Sequence, residues 1–370
     1  LVKRDRNSGQ GSTIFSNNLI RPSSHVGLHA QLLAYDITKS DGVNVGANPI
    51  QTVPPRVGNT GAYPTRTYQY YAGHLEREGK PVTQLGRSVD NINATAVEFG
   101  GLNITPADVI KQGQKGLGGA MSILPIGATW VEDARKTNAT VTAPGQAVYR
   151  DFAMVWQKAL NMRWANGRPV EGIAAEGFGV PNDPQDNSSM AINYKAEPLW
   201  FRFGLAPDAP FGHAGGAGYG DVPNAHMAYS NALIGGDPQT PVLYAKPGQP
   251  FRTHILLPTG GSRGTTFQLD GHVWSVNPFQ SEKSDTGGYP TGTPGVGSVR
   301  FGYNPMSMYI GARESILPAA HFSFMHPSAG GSNAIPGDYL YRDYGAYGNT
   351  SGLWGLLRVT NEAEPAPPAQ

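Results

Sequence analysis

Cysteine is absent from all 370 residues. Its absence excludes disulfides, zinc–thiolate sites and thiol catalysis, and leaves the compartment open. Charge is also scarce: charged residues are 15 %, and 28 Lys+Arg against 27 Asp+Glu leave a net charge of +1. Such a balance gives no electrostatic footprint for nucleic acid or for an anionic membrane. No apolar run approaches the roughly 20 residues of a membrane-spanning helix. There is no Gly-x-Ser-x-Gly elbow, and Gly215-Gly216-Ala217-Gly218 lacks the Lys-Ser/Thr of a phosphate loop. No His-x-His pair occurs anywhere. The start, Leu1-Val2-Lys3-Arg4-Asp5-Arg6, is followed by no apolar stretch of a signal peptide, so the chain reads as a piece of a larger precursor or a processed product.

Glycine and proline are plentiful, 49 and 31 residues. Together they exceed a fifth of the chain, which suits many short strands joined by tight turns. The length accommodates two domains, each with its own core. In residues 147–157, Phe152, Met154 and Trp156 alternate with Ala153, Val155 and Gln157, the pattern of a strand with one buried face. Further strands are expected after Pro250, over 267–274 and, more weakly, over 298–303. One short helix is expected over 105–112, where Thr105 is an N-cap, Pro106 the first helical residue and Asp108 a first-turn acid. Segments 212–220 and 281–297 read as loops. The grammar of an aromatic strand, an excursion and then Gly-Leu-x-Gly-apolar occurs twice. It runs from Tyr68-Gln69-Tyr70-Tyr71 to Gly116-Leu117-Gly118-Gly119, and from Asp338-Tyr339-Leu340-Tyr341 to Gly352-Leu353-Trp354-Gly355. This suggests a duplicated module, with its boundary in the Thr/Ala/Gly/Pro-rich stretch 125–145. The expected division is 1–140, 141–360 and a Pro/Ala-rich tail, 361–370.

Several segments resemble the multicopper oxidases with ceruloplasmin-like cupredoxin domains. They include His25-Val26-Gly27-Leu28-His29, Ser40-Asp41-Gly42, Ala196-Glu197-Pro198-Leu199-Trp200 and the two closing motifs. Most telling is Thr265-Thr266-Phe267-Gln268-Leu269-Asp270-Gly271-His272, which has the cadence of the family's H-P-F-H-L-H-G-H strand. The resemblance implies an all-β chain of two cupredoxin-like Greek-key sandwiches. The first would be N-terminally incomplete, since only some twenty-odd residues precede His25. It also implies that Thr265, Gln268 and Asp270 stand where the family carries copper-binding histidines. Leu340-Tyr341-Arg342 lies near the expected H-C-H, and without a cysteine no blue-copper thiolate exists.

The remaining histidines allow two readings each. His25 and His29, four apart where loop runs into strand, suit either metal ligation or a hydrogen-bonded structural role. His272 forms with Asp270 either two ligands of a metal site or a buried polar pair, and strand alternation sets Gln268, Asp270 and His272 on one face. His321 and His326 flank Met325, an arrangement open to a copper reading and equally to core packing. The 17 Tyr and 6 Trp could line a carbohydrate groove or a partner surface, or simply fill the core. Two functional expectations follow. The first is an exported, extracellular or periplasmic, copper-free structural or interaction module, partnered by other chains or an upstream fragment. The alternative is one part of an active copper-dependent oxidase whose ligands lie mostly in other domains or subunits, with His25, His29 and His272 lent to a shared cluster. Five Asn-x-Ser/Thr sequons, at Asn93, Asn103, Asn138, Asn187 and Asn349, are sites for glycans only in a eukaryotic source.

Overall fold

The computed structural model describes residues 21–58, 62–84, 87–109, 111–134, 136–158, 160, 190–204, 224–260, 264–277, 279–280, 300–301, 307–344 and 346–365. The expected loops at 212–220 and 281–297, His213, the sequon at Asn187, the chain start and the end of the tail lie outside these residues.

The N-terminal part contributes β1 (Leu28–Ala30), β2 (Gly73–Gln84), β3 (Arg87–Ala96), β4 (Gly100–Pro106) and β5 (Gly119–Ile123). Strands β1, β4 and β5 form an antiparallel sheet in the order β1-β4-β5, while β2 and β3, among the described strands, pair only with each other. The rest carries β6 (Thr129–Glu132), β7 (Asn138–Thr142), β8 (Tyr149–Gln157), β9 (Ala191–Ile192), β10 (Val242–Ala245), β11 (Phe251–Leu256), β12 (Thr265–Leu269) and β13 (Trp274–Ser275). It continues with β14 (Phe279–Gln280), β15 (Arg300–Phe301), β16 (Tyr309–Ile310), β17 (Ala312–Ile316), β18 (His321–His326), β19 (Gly337–Asp343) and β20 (Trp354–Val359). Among the described residues helix is limited to α1 (Leu199–Arg202), α2 (Asn231–Ile234) and α3 (Ala346–Thr350), with two short 3-10 turns.

Two sheets close into a sandwich. One runs β18-β11-β8-β7-β6, with β9 attached to β8; the other runs β10-β20-β19-β12-β17. Between them Phe152, Met154, Trp156, Phe251, Ile255 and Phe324 meet Leu243, Phe267, Leu269, Tyr341, Leu357 and Val359 in one buried cluster. Period-2 alternation sends Phe251, Thr253 and Ile255 of β11 into that core and Arg252, His254 and Leu256 out the other side. Yet all six residues of β11 are buried. The cover on the outer face is the N-terminal sheet: Gly101 of β4 hydrogen-bonds to His254 and Ser323, and Asn103 to the Ala320 carbonyl. The described residues therefore stack in three layers.

Local expectations met this architecture unevenly. The strand after Pro250 forms as expected. The strand at 147–157 forms too, but both its faces are covered rather than one. The helix expected at 105–112 does not form, because Thr105 and Pro106 pair with His29 and Leu28 of β1 and extend β4. Only its first-turn acid behaves as a cap: Asp108 Oδ1 accepts from the Lys111 N–H at 2.9 Å. Residue 140 lies inside β7, and both β6 and β7 pair into the sheet of the second section.

Candidate functional site

The register of β12 against β19 sets Leu269 opposite Tyr341 and Gln268 opposite Arg342. The two segments singled out by sequence, 265–274 and 337–343, are thus neighbours in one sheet. Between them lies packed apolar matter. The Phe267 ring centroid lies 6.0 Å from Trp156, 5.7 Å from Trp274 and 5.9 Å from Phe324. Tyr341 is fully buried, its hydroxyl donating to the Pro241 carbonyl at 2.6 Å. Burial raises its pKa.

The alternation expected to put Gln268, Asp270 and His272 on one face holds for the first two only. Gln268 Nε2 donates to Asp270 Oδ1 at 2.9 Å. Then Gly271, at φ +69°, turns the chain and delivers His272 to the core side; a Cβ there would come within 2.9 Å of the Tyr339 ring. His272 Nε2 accepts from the Gly330 N–H at 3.1 Å, so its proton sits on Nδ1, which donates to the Asp270 backbone carbonyl at 2.9 Å. Asp270 and His272 are linked through main chain, not through the carboxylate. Both imidazole nitrogens are in use, and burial lowers the His272 pKa.

His326 lies beside it. Its ring stacks on Phe251 at 4.2 Å, and its Nε2 lies 3.0 Å from Thr253 Oγ1. Burial, then the neighbouring His272, hold its pKa well below the ordinary value. His321, at the other end of β18, is half-buried with a pKa lowered by burial.

His29 is anchored elsewhere. Its Nδ1 lies 2.9 Å from the Asp41 carbonyl and 3.2 Å from Asp41 Oδ1, which also accepts from Tyr35 Oη at 2.9 Å. Burial and that bond push the Tyr35 pKa up to about 12. His25 is exposed; its backbone N–H donates to Ser23 Oγ and its carbonyl accepts from Gln112 Nε2. Among the described residues no three His, Asp or Glu side chains form a metal-holding group, so His25, His29 and His272 are not brought together.

A different constellation went unnoticed in the sequence. His254 Nε2 lies 2.6 Å from Asp151 Oδ1 and His254 Nδ1 lies 2.7 Å from Ser323 Oγ. The three residues come from the adjacent strands β8, β11 and β18, on the face turned from the core. The Gly101 N–H reaches Ser323 Oγ at 2.9 Å and His254 Nδ1 at 3.0 Å. A Cβ on Gly101 would lie 2.5 Å from His254 Cβ, and one on Gly100 2.5 Å from Ser323 Oγ. Only a Gly-Gly backbone approaches this closely. The order Asp–His–Ser is that of a hydrolytic triad, but here main chain covers the hydroxyl, so the arrangement docks one layer on another. Beside it the buried Arg252 pairs with Glu98, bonds Gln146 Oε1 at 2.8 Å and stands 4.0 Å over the Tyr149 ring. The signal available in sequence was the run Arg252-x-His254 on alternate positions of an apolar strand, which calls for a second polar-satisfying layer.

The Ala196-Glu197-Pro198 motif is a second buried polar hub. Glu197 and Arg202 are both fully buried and 3.3 Å apart. Arg202 donates to the carbonyls of Ala228 and Ser230, Gln239 N–H donates to Glu197 Oε2, and Trp354 Nε1 donates to the Glu197 carbonyl at 2.7 Å. Asn103 and Asn138, two of the sequon residues, are 0 % and 5 % exposed, which closes them to glycans in the folded chain.

No family model matches the chain, and no curated protein matches it. Among solved structures it is similar to one described as a multicopper oxidase, at 13 % identity over 91 % of this chain and 70 % of that one, with a TM-score of 0.40. It is also similar to the copper nitrite reductase from Nitrosomonas europaea, at 12 % identity over 93 % and 77 % of the two chains, with a TM-score of 0.40. A laccase from Botrytis aclada is similar at 11 % identity, covering 93 % of this chain and 44 % of that one, with a TM-score of 0.40.

Proposed function

We propose that the chain is a copper-free, cupredoxin-like structural or interaction module of an exported multicopper-oxidase-like protein, extracellular or periplasmic in location. The observation that carries this reading is the state of β12 and its surroundings. Where the resemblance expects imidazoles, Gln268 and Asp270 bond each other, Thr265 is buried, and His272 has both ring nitrogens committed to the main chain. Where it expects a thiolate and its flanking histidines, Tyr341 fills the core. A type 1 copper requires a thiolate and two free imidazole nitrogens, and a coupled cluster requires paired imidazoles on one strand face. These residues do not fit either centre. Among the described residues no helix is long and apolar enough to cross a membrane.

The test is copper analysis of the purified full assembly, with visible and EPR spectra. The expected result is no copper bound by this chain after exposure to excess Cu(II) and desalting. A stoichiometric copper that is lost in His25→Ala, His29→Ala or His272→Ala would overturn the reading in favour of the shared-cluster oxidase.

A further inference from the structure

Strand β6 is an outer strand left bare. Among the described strands it pairs only with β7, and all four of its residues are exposed. Trp130 is 55 % and Val131 73 % exposed. Edge strands are ordinarily blunted by Lys, Pro, a bulge or a covering element. The outer strand β17 has such a device, a register shift against β12. Thr129-Trp130-Val131-Glu132 pairs with β7 in unbroken register and holds neither Lys nor Pro; its one charge, Glu132, stands at the end.

The ladder fixes which backbone groups face outward. The Asp133 N–H donates to the Asn138 carbonyl at 2.9 Å, one step past the pair Glu132–Ala139. In an antiparallel pair, residues bonded to the partner alternate with residues that face away from it. Val131 and Thr129 therefore bond β7, and Trp130 and Glu132 present their N–H and C=O groups to the open edge. Side chains alternate as well. Trp130 and Glu132 share one face, where Trp130 Nε1 donates to Glu132 Oε1 at 3.2 Å, and Val131 lies on the other.

Such an edge is its own complement. A two-fold axis through Val131, normal to the sheet, lays a second copy antiparallel alongside. Trp130 then stands opposite Glu132 of the second copy, and Val131 opposite its own counterpart. Each Trp130–Glu132 pair exchanges two N–H···O=C bonds. Moving the axis to Trp130 loses bonds, because Glu132 then faces Ala128, whose N–H is spent on the Pro125 carbonyl at 3.0 Å. Charge agrees with the axis at Val131. The ionisable residues next to the edge are Glu132, Asp133, Arg135 and Lys136. Glu132 falls opposite Trp130 and Asp133 opposite Thr129, so like charges are not directly opposed within the strand pair. Asp133 is already paired with Arg150, and Lys136 with Glu364.

We propose that two copies of this chain associate through β6, which pairs antiparallel with β6 of the second copy about a two-fold axis at Val131 and joins the two six-stranded sheets into one. The contact is small. It hides roughly a few hundred Å² per copy, against about 800 Å² in a standard interface, so the dimer is weak and reversible. The proposal gives the interaction-module reading a partner and does not rest on the absence of copper: association state tests it, and metal content does not.

Sedimentation velocity of the full chain from about 1 μM to about 1 mM covers the range of a weak dimer. The expected result is a concentration-dependent monomer–dimer equilibrium that persists at high salt, since backbone bonds and apolar contact carry it. Glu132→Pro removes an outward N–H and blocks the edge while sparing the ladder to β7. It should weaken association about tenfold or more with an unchanged Tm, whereas Val131→Pro, which removes an N–H bonded to β7, should lower the Tm. The wild-type chain has no cysteine. Val131→Cys sets two thiols in a non-hydrogen-bonded pair, with Cα atoms about 4.5 Å apart and within reach of a disulfide. On oxidation it should self-link much faster than Glu132→Cys, whose counterpart lies across the diagonal. A wild-type chain that stays monomeric throughout the range would overturn the proposal. So would a dimer indifferent to Glu132→Pro, or Val131→Cys linking no faster than Glu132→Cys.

Discussion

Gly101→Ala probes the docking of the N-terminal sheet on the sandwich. The added Cβ would sit 2.5 Å from His254 Cβ, 2.8 Å from Cγ and 3.1 Å from Nδ1. His254 cannot swing aside freely, because its other nitrogen lies 2.6 Å from Asp151 Oδ1. Strand β4 must therefore move away, an overpacking cost of about 1–3 kcal/mol. That movement stretches the Gly101 N–H bonds and leaves buried acceptors short of a donor, a further cost of about 1–3 kcal/mol. A total near 3 kcal/mol corresponds to a fall in Tm on the order of 6–12 °C, at about 2–4 °C per kcal/mol for a chain of a few hundred residues.

Thermal melting by circular dichroism reads the fall, and hydrogen exchange of the amides of β1, β4 and β5 locates it. Gly236→Ala is the matched control, since a Cβ there has no atom within 4 Å; its Tm should not move. A Gly101→Ala chain that melts with the wild type would refute the reasoning, because it would mean that the seam has room for a methyl group.

Three further outcomes are expected. Glu197→Ala strands the fully buried Arg202 without its carboxylate, a loss of about 3–5 kcal/mol; an unchanged urea midpoint would show that the pair is not part of the folded core. Burial lowers the pKa of His272, His321 and His326 below 6.5, so the unfolded chain takes up these protons first as pH falls. Stability is then full above about 6.5 and declines below it, Tm drops between pH 7.5 and pH 5, and His326→Phe makes the drop shallower; an identical slope in the variant would contradict this. Asp270→Ala should cost only about 1 kcal/mol, since its carboxylate bonds Gln268 while His272 is held by the carbonyl; a loss several times larger would show that the carboxylate positions His272.

What sequence could reveal followed the range of the interaction. Strand β11 began after Pro250 as proline chemistry requires, and the aromatic alternation in 147–157 announced β8. The helix expected at 105–112 had sound local grammar, and was overridden because pairing with β1 claims Thr105 and Pro106. Propensity is a weak prior against a ladder of backbone bonds. The placement of His272 failed on one residue. Period-2 reasoning holds only while the chain stays extended, and Gly271 at φ +69° ends the strand before the histidine.

The docking seam lay beyond local reasoning altogether. Its hydrogen bonds link residues 69, 103, 153 and 222 positions apart. Nothing near His254 in the sequence identifies its partners, Asp151, Ser323 and Gly101. Yet the physics of β11 demanded a partner layer. A central strand whose inner face is Phe251, Thr253 and Ile255 carries Arg252 and His254 outward, and buried polar groups persist only when hydrogen-bonded. The Gly100-Gly101 pair supplies the complement: a backbone stripped of side chains, with an N–H presented at 2.9–3.0 Å to Ser323 and His254. A polar stripe on a central strand and a paired glycine on a distant one are each ambiguous alone. Taken together they specify which face of which sheet the third layer covers.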